Sequence, residues 1–517
     1  MITLKSYLNG QWQAGEGDGA SLVNPTTEEA VAHASTKGLD VKSALAFGRD
    51  KGGAALRAMS FAERGALLKS WSAALHEHRE ALIDISLDNG GTTRKGAKFD
   101  IDGATGTLMY YASLGKKLGD KKILVDGDAE QLTRSARFVG VHVRQPRRGV
   151  AVHINAFNFP MWGMFEKAAC AILAGMPVFT KPGTSTALLA HRAVEILTEA
   201  NLIPEGTLQF LCGSAGDLLD HLGEQDVLAF TGGASTGEMM RSHPNIIKHN
   251  VRVNIEADSL NAMVLGDASD ETFATFLRHA ETELTQKTGQ KCTATRRIFV
   301  PEDRIDDVEA ELKDIFASVK VGAPGAEGVH MGPLATANQL RDAKDGVAKL
   351  TESGAKVVFG EGADVTPVDA EKGKGYFFGP MLLRADDPAS ADAVHDIEVF
   401  GPVQTLMPYS SIDDVVGYVA RGKGGLVCSL YTDDKEETAD LLLGLAPFHG
   451  RLLLASEKVA DTTITPGMAL PSCLHGGPGR AGGGEELGGE RGMHFYMQRT
   501  AVQGDRSVLE RLYGMRD

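Results

Sequence analysis

Val178-Phe179-Thr180-Lys181-Pro182-Gly183-Thr184-Ser185 reads as a short buried strand that ends on a cation and opens, through a proline-glycine turn and two hydroxyls, onto a helix. Apolar runs of this length bounded by turn residues are strands, and a cation beside a helix start suits an anionic phosphate. Working outward, the pattern repeats: strand Val150 to Ile154, helix Met164 to Leu173, helix Thr186 to Ala200, strand Leu208 to Leu211, a helix near Leu218, strand Val227 to Phe230. Strand-helix alternation of this regularity predicts a parallel sheet covered by helices, with ligands at the carboxyl ends of its strands. The fold class expected is therefore α/β with a Rossmann-type, nucleotide-binding sheet.

A second strand end carries Thr231-Gly232-Gly233-Ala234-Ser235-Thr236-Gly237. Its glycines would let backbone N–H groups approach a ligand, or would simply make a tight turn. The spacing is neither G-x-G-x-x-G nor a P-loop, because Glu238 follows Gly237.

Gly289-Gln290-Lys291-Cys292-Thr293 delivers one cysteine on a polar turn between a helix ending near Gln286 and an apolar strand at Ile298-Phe299-Val300. A thiolate nucleophile needs an open turn, nearby N–H dipoles or positive charge, and partial exposure, and Gly289 and Lys291 are compatible with that. A small buried hydrophobe is the competing reading of any lone cysteine. Asn158, Glu256 and Glu398 are polar groups in apolar surroundings. An amide can donate to an oxyanion, and a half-buried carboxylate can have a raised pKa suited to a general base; each could equally be a satisfied structural hydrogen bond.

Elsewhere, Asn9-Gly10 and Asn24-Pro25 mark turns among short strands, and Ser60-Phe61-Ala62-Glu63 matches a capping box. Leu67, Trp71 and Leu75 recur on one face of the helix that follows, and another helix runs from Ile101 to Leu118. Phe138 to Val143 is a strand leading into Arg144-Gln145-Pro146-Arg147-Arg148, read as a solvated or interface turn. The tail from Pro466 is rich in glycine and reads as a disordered stretch or as a loop that covers a site or serves an interface, and Met497 to Gln503 is a strand.

At 517 residues the chain exceeds a single core, so two or three packed units are expected. A net charge of -15 argues against nucleic acid or anionic membrane as partners. Five scattered cysteines without a CxxC pair indicate neither a disulfide framework nor a zinc cluster, so no metal is expected and a reducing cytoplasm fits. The start of the chain has no basic region followed by a long apolar core, so no export signal is read there.

Taken in order, Phe157-Asn158-Phe159-Pro160, Lys167, Lys181-Pro182, Phe230-Thr231-Gly232 with Gly237, Glu256, Gly289-Gln290-Lys291-Cys292 and Glu398-Val399-Phe400-Gly401-Pro402 resemble the aldehyde dehydrogenase superfamily over nearly the whole chain. The resemblance implies a cofactor domain (1–124 and 148–255), a catalytic domain (256–465) and a small β oligomerisation flap (125–147 and 493–517) joining subunits into dimers or dimers of dimers. It also implies catalytic roles for Cys292 as nucleophile, Asn158 as oxyanion donor, Glu256 as base, and a place in the catalytic set for Lys167. Cofactor contacts are implied for Lys181, Thr184, Thr231, Gly232, Gly237, Glu398 and Phe400.

Three departures sharpen this. Thr184 stands where NAD-preferring members commonly have a glutamate, which removes a carboxylate that would repel a 2′-phosphate; NADP is expected over NAD. Glu256-Ala257-Asp258-Ser259-Leu260-Asn261 and Gly232-Gly233-Ala234 also depart from the usual pattern. Both resemble a bacterial branch acting on coenzyme A-linked semialdehydes from aerobic aromatic ring cleavage. The alternatives are a general aldehyde dehydrogenase, a CoA-acylating enzyme that would not need Glu256, and a non-catalytic protein, which would be expected to have lost one of Cys292, Asn158 and Glu256.

Overall fold

A computed structural model describes residues 2–514; Met1 and residues 515–517, the outer ends of two expected segments, lie outside it. Two seven-stranded sheets dominate. In the first, the spatial order is Arg252–Glu256, Val227–Thr231, Ala151–Ile154, Val178–Lys181, Leu208–Phe210, Ser6–Leu8, Gln11–Gln13. The first five strands are parallel and the last two are an antiparallel extension. After that edge pair, the chain starts the parallel part at Ala151–Ile154, runs outward through Val178–Lys181 and Leu208–Phe210, and then returns to the other side with Val227–Thr231 and Arg252–Glu256. Its topological switch point therefore lies between Ala151–Ile154 and Val227–Thr231, where a crevice opens at the strand ends.

Both faces of these strands are apolar because helices cover both. Ala151, Val178, Leu208 and Val227 face a core shared with the helices Phe61–Glu77, Arg94–Leu118 and Trp162–Ala174. Val152, Phe179 and Leu228, one residue on, face the other layer with Leu45, Leu218 and Met240. The Ser60–Glu63 capping box forms as expected, with Ser60 Oγ accepting from Glu63 N at 3.2 Å and Glu63 Oε2 accepting from Ser60 N at 2.7 Å. Leu68, Trp71 and Leu75 are the fully buried face of that helix, with Leu67 only partly covered.

The second sheet has the order Lys356–Phe359, Met381–Arg384, Val403–Tyr409, Thr295–Pro301, Asn261–Leu265, Gly425–Tyr431, His449–Ala455, parallel except for its first edge strand. Val264, Phe299 and Leu430 face one core and Met263, Ile298 and Tyr431 the other. Leu124–Gln131, Phe138–Pro146 and Met497–Asp505 make a separate three-stranded antiparallel sheet. No helix of the described residues is long and apolar enough to cross a membrane.

Three local readings are corrected. The Arg94–Leu118 helix begins seven residues' worth of chain earlier than Ile101, capped by Thr93 Oγ1 accepting from Gly96 N. Arg144 and Arg147 are buried rather than solvated: Arg144 pairs with Asp126 at 2.8 Å, and Arg147 donates to the backbone oxygens of Glu224 and Gln225. The glycine-rich tail is ordered, folding into the hairpin Leu474–Gly477 and Gly484–Leu487.

Candidate active site

Cys292 follows a stretch of unusual backbone. Lys287, Thr288 and Gly289 have φ of 54°, 56° and 66°, three successive left-handed residues, two of them with side chains that disfavour that region. At Gly289 a Cβ would lie 2.3 Å from Gly401 O, so only glycine fits the approach. The turn is held from outside: Asn261 Nδ2 donates to Cys292 O at 2.8 Å, and Arg296 Nη1 donates to Gly289 O at 2.9 Å. Lys291, expected to offer its charge to the thiol, directs it first to a carboxylate. It is buried and paired with Glu283 at 3.0 Å, and Gln286 Oε1 accepts from its Nζ at 2.9 Å.

Cys292 stands at the junction of two cavities. One, of about 40 Å³, is lined by Phe159, Trp162, Gly163, Glu166, Lys167, Gly467, Ala469 and His475 among others. The second, of about 670 Å³, opens at the switch point of the first sheet and extends past Lys181, Gly233, Glu398 and Phe400. Ala156, Asn158, Thr231, Glu256 and Cys292 line both. Three sequence-expected catalytic residues therefore converge on the wall between a narrow pocket and a wide one.

Asn158 Nδ2 donates to Gln290 O at 3.0 Å, which ties the amide to the cysteine turn and leaves its second N–H available. Glu256 ends the strand Arg252–Glu256 and is 1% exposed, and neither of its carboxylate oxygens has an aligned hydrogen bond. The sequence reading gave this carboxyl a raised pKa. The structure does the opposite: burial pushes it up, but the His475 ring at 3.1 Å, the Lys167 ammonium and the Cys292 thiol outweigh burial and hold it down at about 2.

The Cys292 thiol is pushed up, by burial first and then by the carboxylates of Glu256, Glu166 and Glu398. Lys167 is buried between Glu166 and Glu486, each at 3.2 Å; burial works against its charge, and Glu486, Glu166 and Glu256 overcome that and raise its pKa. Sequence reasoning missed His475 and Glu486. The one signal for His475 was a histidine flanked by leucine and paired glycines in a segment read as loop.

Around the wide cavity, Lys181 Nζ donates to Pro182 O at 3.0 Å and lies 3.4 Å from Thr184 Oγ1, and burial lowers its pKa. Thr184 Oγ1 turns away to donate to Gly213 O at 3.0 Å, so Gly183, Ser185 and Ser214 line the cavity there rather than Thr184 itself. Thr231 Oγ1 is buried without a partner and Gly232 N donates to Glu256 O at 3.1 Å. Gly237 is absent from the lining; it lies in the helix Ala234–Arg241, where a Cβ would meet Ile255 Cγ2 at 3.0 Å. The start of that helix is taken by Asp258, whose Oδ1 accepts from Ala234 N at 2.9 Å.

Glu398 accepts from Ser259 N at 3.0 Å and pairs with Arg296 at 3.3 Å, while burial raises its pKa to about 7. Phe400 packs edge-on against Phe157, with ring centres 5.9 Å apart. A long crevice with exposed glycine backbone, a cation and a carboxylate fits an extended ligand bearing phosphate and hydroxyl groups.

Comparison with known proteins agrees with this geometry. Residues 12–502 match the aldehyde dehydrogenase family. The chain is 45% identical over 480 residues to 3,4-dehydroadipyl-CoA semialdehyde dehydrogenase of Aromatoleum evansii, covering 92% of this chain and 93% of that protein. It is 28% identical over 513 residues to aldehyde dehydrogenase 1A1 of Rattus norvegicus, covering 96% and 94%. Among solved structures, an NADP-dependent enzyme of E. coli superposes with a TM-score of 0.85 at 23% identity over 98% of each chain. Lactaldehyde dehydrogenase of Escherichia coli superposes with a TM-score of 0.84 at 22% identity, over 97% of this chain and 99% of that one. The chain belongs to the aldehyde dehydrogenase family and is an oxidoreductase acting on aldehydes.

Proposed function

We propose that this enzyme oxidises a coenzyme A-linked semialdehyde, of the kind named for its Aromatoleum relative, to the carboxylic acid with NADP, using Cys292 as nucleophile, Asn158 as oxyanion donor and Glu256 as base. The observation that carries this is the placement of all three at the junction of the two cavities. An aldehyde entering the narrow pocket meets Sγ from one side. A dinucleotide in the wide cavity, when bound, supplies the hydride acceptor on the other.

Cys292 attacks the carbonyl carbon as thiolate, and the free N–H of the Asn158 amide and the Cys292 backbone N–H hold the oxyanion. Loss of hydride leaves the acyl group on Sγ as a thioester. At that point Sγ carries no proton, so the influence through which the neighbouring thiol lowers the Glu256 pKa is gone. Glu256 thereby becomes a stronger base when a water must be deprotonated to hydrolyse the thioester. Lys167, between Glu166 and Glu486, keeps positive charge behind that carboxylate.

The narrow pocket supports an unbranched acyl chain: Phe159 and Trp162 wall it, and Gly163, Gly467 and Ala469 leave it open. NADP is supported by the lining contributed along with Lys181: Gly183, Ser185 and Ser214, none of which is an acid. Lys181, with Thr184 orienting it, is assigned to the 2′-phosphate, and Glu398 and Phe400 to the nicotinamide side. We assign residues 125–147 and 493–517 to a flap for subunit pairing. Its edge strand is exposed from Gln498 to Ala501, free to pair with another copy.

The test is steady-state NADPH formation with a CoA-linked semialdehyde and with the same aldehyde lacking coenzyme A, each with NADP and NAD. A large kcat/KM preference for the CoA-linked compound with NADP is expected. Equal activity on the free aldehyde overturns the substrate class, and a higher kcat/KM with NAD overturns the cofactor.

A further inference from the structure

His475 has no part in the chemistry above, yet its ring touches both groups on which that chemistry depends. It lies on the hairpin strand Leu474–Gly477, in register with Glu486 on the opposing strand, and is 5% exposed. Its Nε2 is 3.1 Å from Glu256 Oε2 and 3.9 Å from Cys292 Sγ. One nitrogen thus faces the carboxylate and the thiol together, and the donor atoms of all three residues lie within 4.8 Å of one another. Glu256 comes from the first sheet, Cys292 from the strained turn, and Glu166 and Lys167 from the helix Trp162–Ala174 behind them. Arg451, on the strand His449–Ala455, is the other cation acting on the ring.

We propose that His475 is the cationic positioning residue of the nucleophile: its imidazolium keeps Glu256 ionised and carries the countercharge of the Cys292 thiolate. The inference rests on the reading of Cys292 as nucleophile and Glu256 as base. The step it serves is a proton transfer. The Cys292 S–H bond breaks, the proton passes to a Glu256 oxygen, and the electron pair left on sulfur forms the bond to the carbonyl carbon. The imidazolium keeps its proton throughout. Thiol, carboxylate and imidazolium sum to zero charge before the transfer, and thiolate, carboxylic acid and imidazolium sum to zero after it. Without the ring's charge, the buried anion at each stage would lose the imidazolium that touches it.

The environment agrees with a charged ring. Burial disfavours the imidazolium, but Glu256 and Glu166 outweigh both burial and the opposing charge of Arg451, and the His475 pKa is raised. Lys291, Arg296 and Arg451 also act on Cys292 through their charges, but Lys291 is paired with Glu283 and Arg296 with Glu398, whereas the His475 ring touches Sγ itself.

The experiment is the pH dependence of Cys292 alkylation by iodoacetamide, read by peptide mass because Cys473 is exposed and Cys292 only partly so. It uses the full-length enzyme with EDTA present, as wild type, His475→Gln and His475→Phe, each checked for fold by circular dichroism and thermal melting. Both variants are expected to move the alkylation midpoint up by about one pH unit or more, with about tenfold slower reaction at neutral pH. Glutamine retains a hydrogen-bond donor without charge, so a wild-type profile in His475→Gln overturns the proposal. An unchanged midpoint with uniform loss at every pH, the mark of a purely structural role, also overturns it. Should the phenylalanine variant not fold, the glutamine variant decides. The underlying reading fails separately, through Cys292→Ala retaining NADPH formation.

Discussion

At the wide cavity, the groups that face a ligand are mostly backbone and short polar side chains, supplied by strand-turn-helix units that are local in sequence: Lys181 to Ser185, Thr231 to Gly233. At the narrow pocket, Glu166 and Lys167 from one helix, and Glu256, Cys292 and His475 from three other parts of the fold, press their charges on one another. The first region is shaped chiefly by chain geometry and the second by electrostatics. Substitutions at the narrow end should therefore change turnover, and those at the wide end cofactor choice.

The largest of these effects is expected at Asn158, which lines both cavities. Removing one oxyanion donor costs about 3 to 4 kcal/mol in other enzymes, so Asn158→Ala should lower kcat by a few hundred-fold with little change in KM. Near-normal kcat would remove Asn158 from the chemistry. At the wide end, Thr184→Glu would set a carboxylate beside Lys181, whose Nζ is 3.4 Å from the present hydroxyl. Its kcat/KM with NADP should fall about tenfold or more while that with NAD holds, the carboxylate repelling a 2′-phosphate and accepting from a ribose diol. A uniform loss with both cofactors would make Thr184 structural.

The smallest effect concerns stability and pH. The Glu256 pKa is lowered from 4.5 to about 2, so its contribution is present above 4.5 and lost as pH falls toward 2. The His475 pKa is raised above 6.5, so its contribution is present below 6.5 and lost as pH rises through the folded value. The Tm difference between wild type and His475→Phe should accordingly be greater at about pH 6 than at about pH 9.5. A difference independent of pH would mean that packing, not charge, joins the hairpin to Glu256.

What could be read from the chain follows the same division. The strands ending at Lys181 and Thr231 were legible because a strand buried on both faces is an unbroken apolar run closed by its own turn. The capping box at Ser60 was legible for the same local reason. Cys292, Asn158 and Glu256 were visible as chemistry, and the order of motifs tied them together. The environment that tunes them was not. The left-handed backbone at Lys287 and Thr288 leaves no mark in residues that ordinarily avoid it. The burial of Lys291 against Glu283 depends on a helix packing across the turn, and the low Glu256 pKa depends on a histidine from a hairpin hidden in a glycine-rich tail. Gly237 shows the converse: a glycine whose motif position points to the cofactor, and whose actual constraint is the Ile255 side chain.

The central claim is that the aldehyde becomes covalently bound to Cys292 at the junction of the two cavities. Its most direct test is acid quenching of the enzyme during turnover with aldehyde and NADP, followed by digestion and mass analysis, with Cys292→Ala run in parallel. An acyl adduct on the peptide containing Cys292, with no adduct and no NADPH formation in Cys292→Ala, is the predicted result. An adduct on another residue, or NADPH formation by Cys292→Ala, would contradict it.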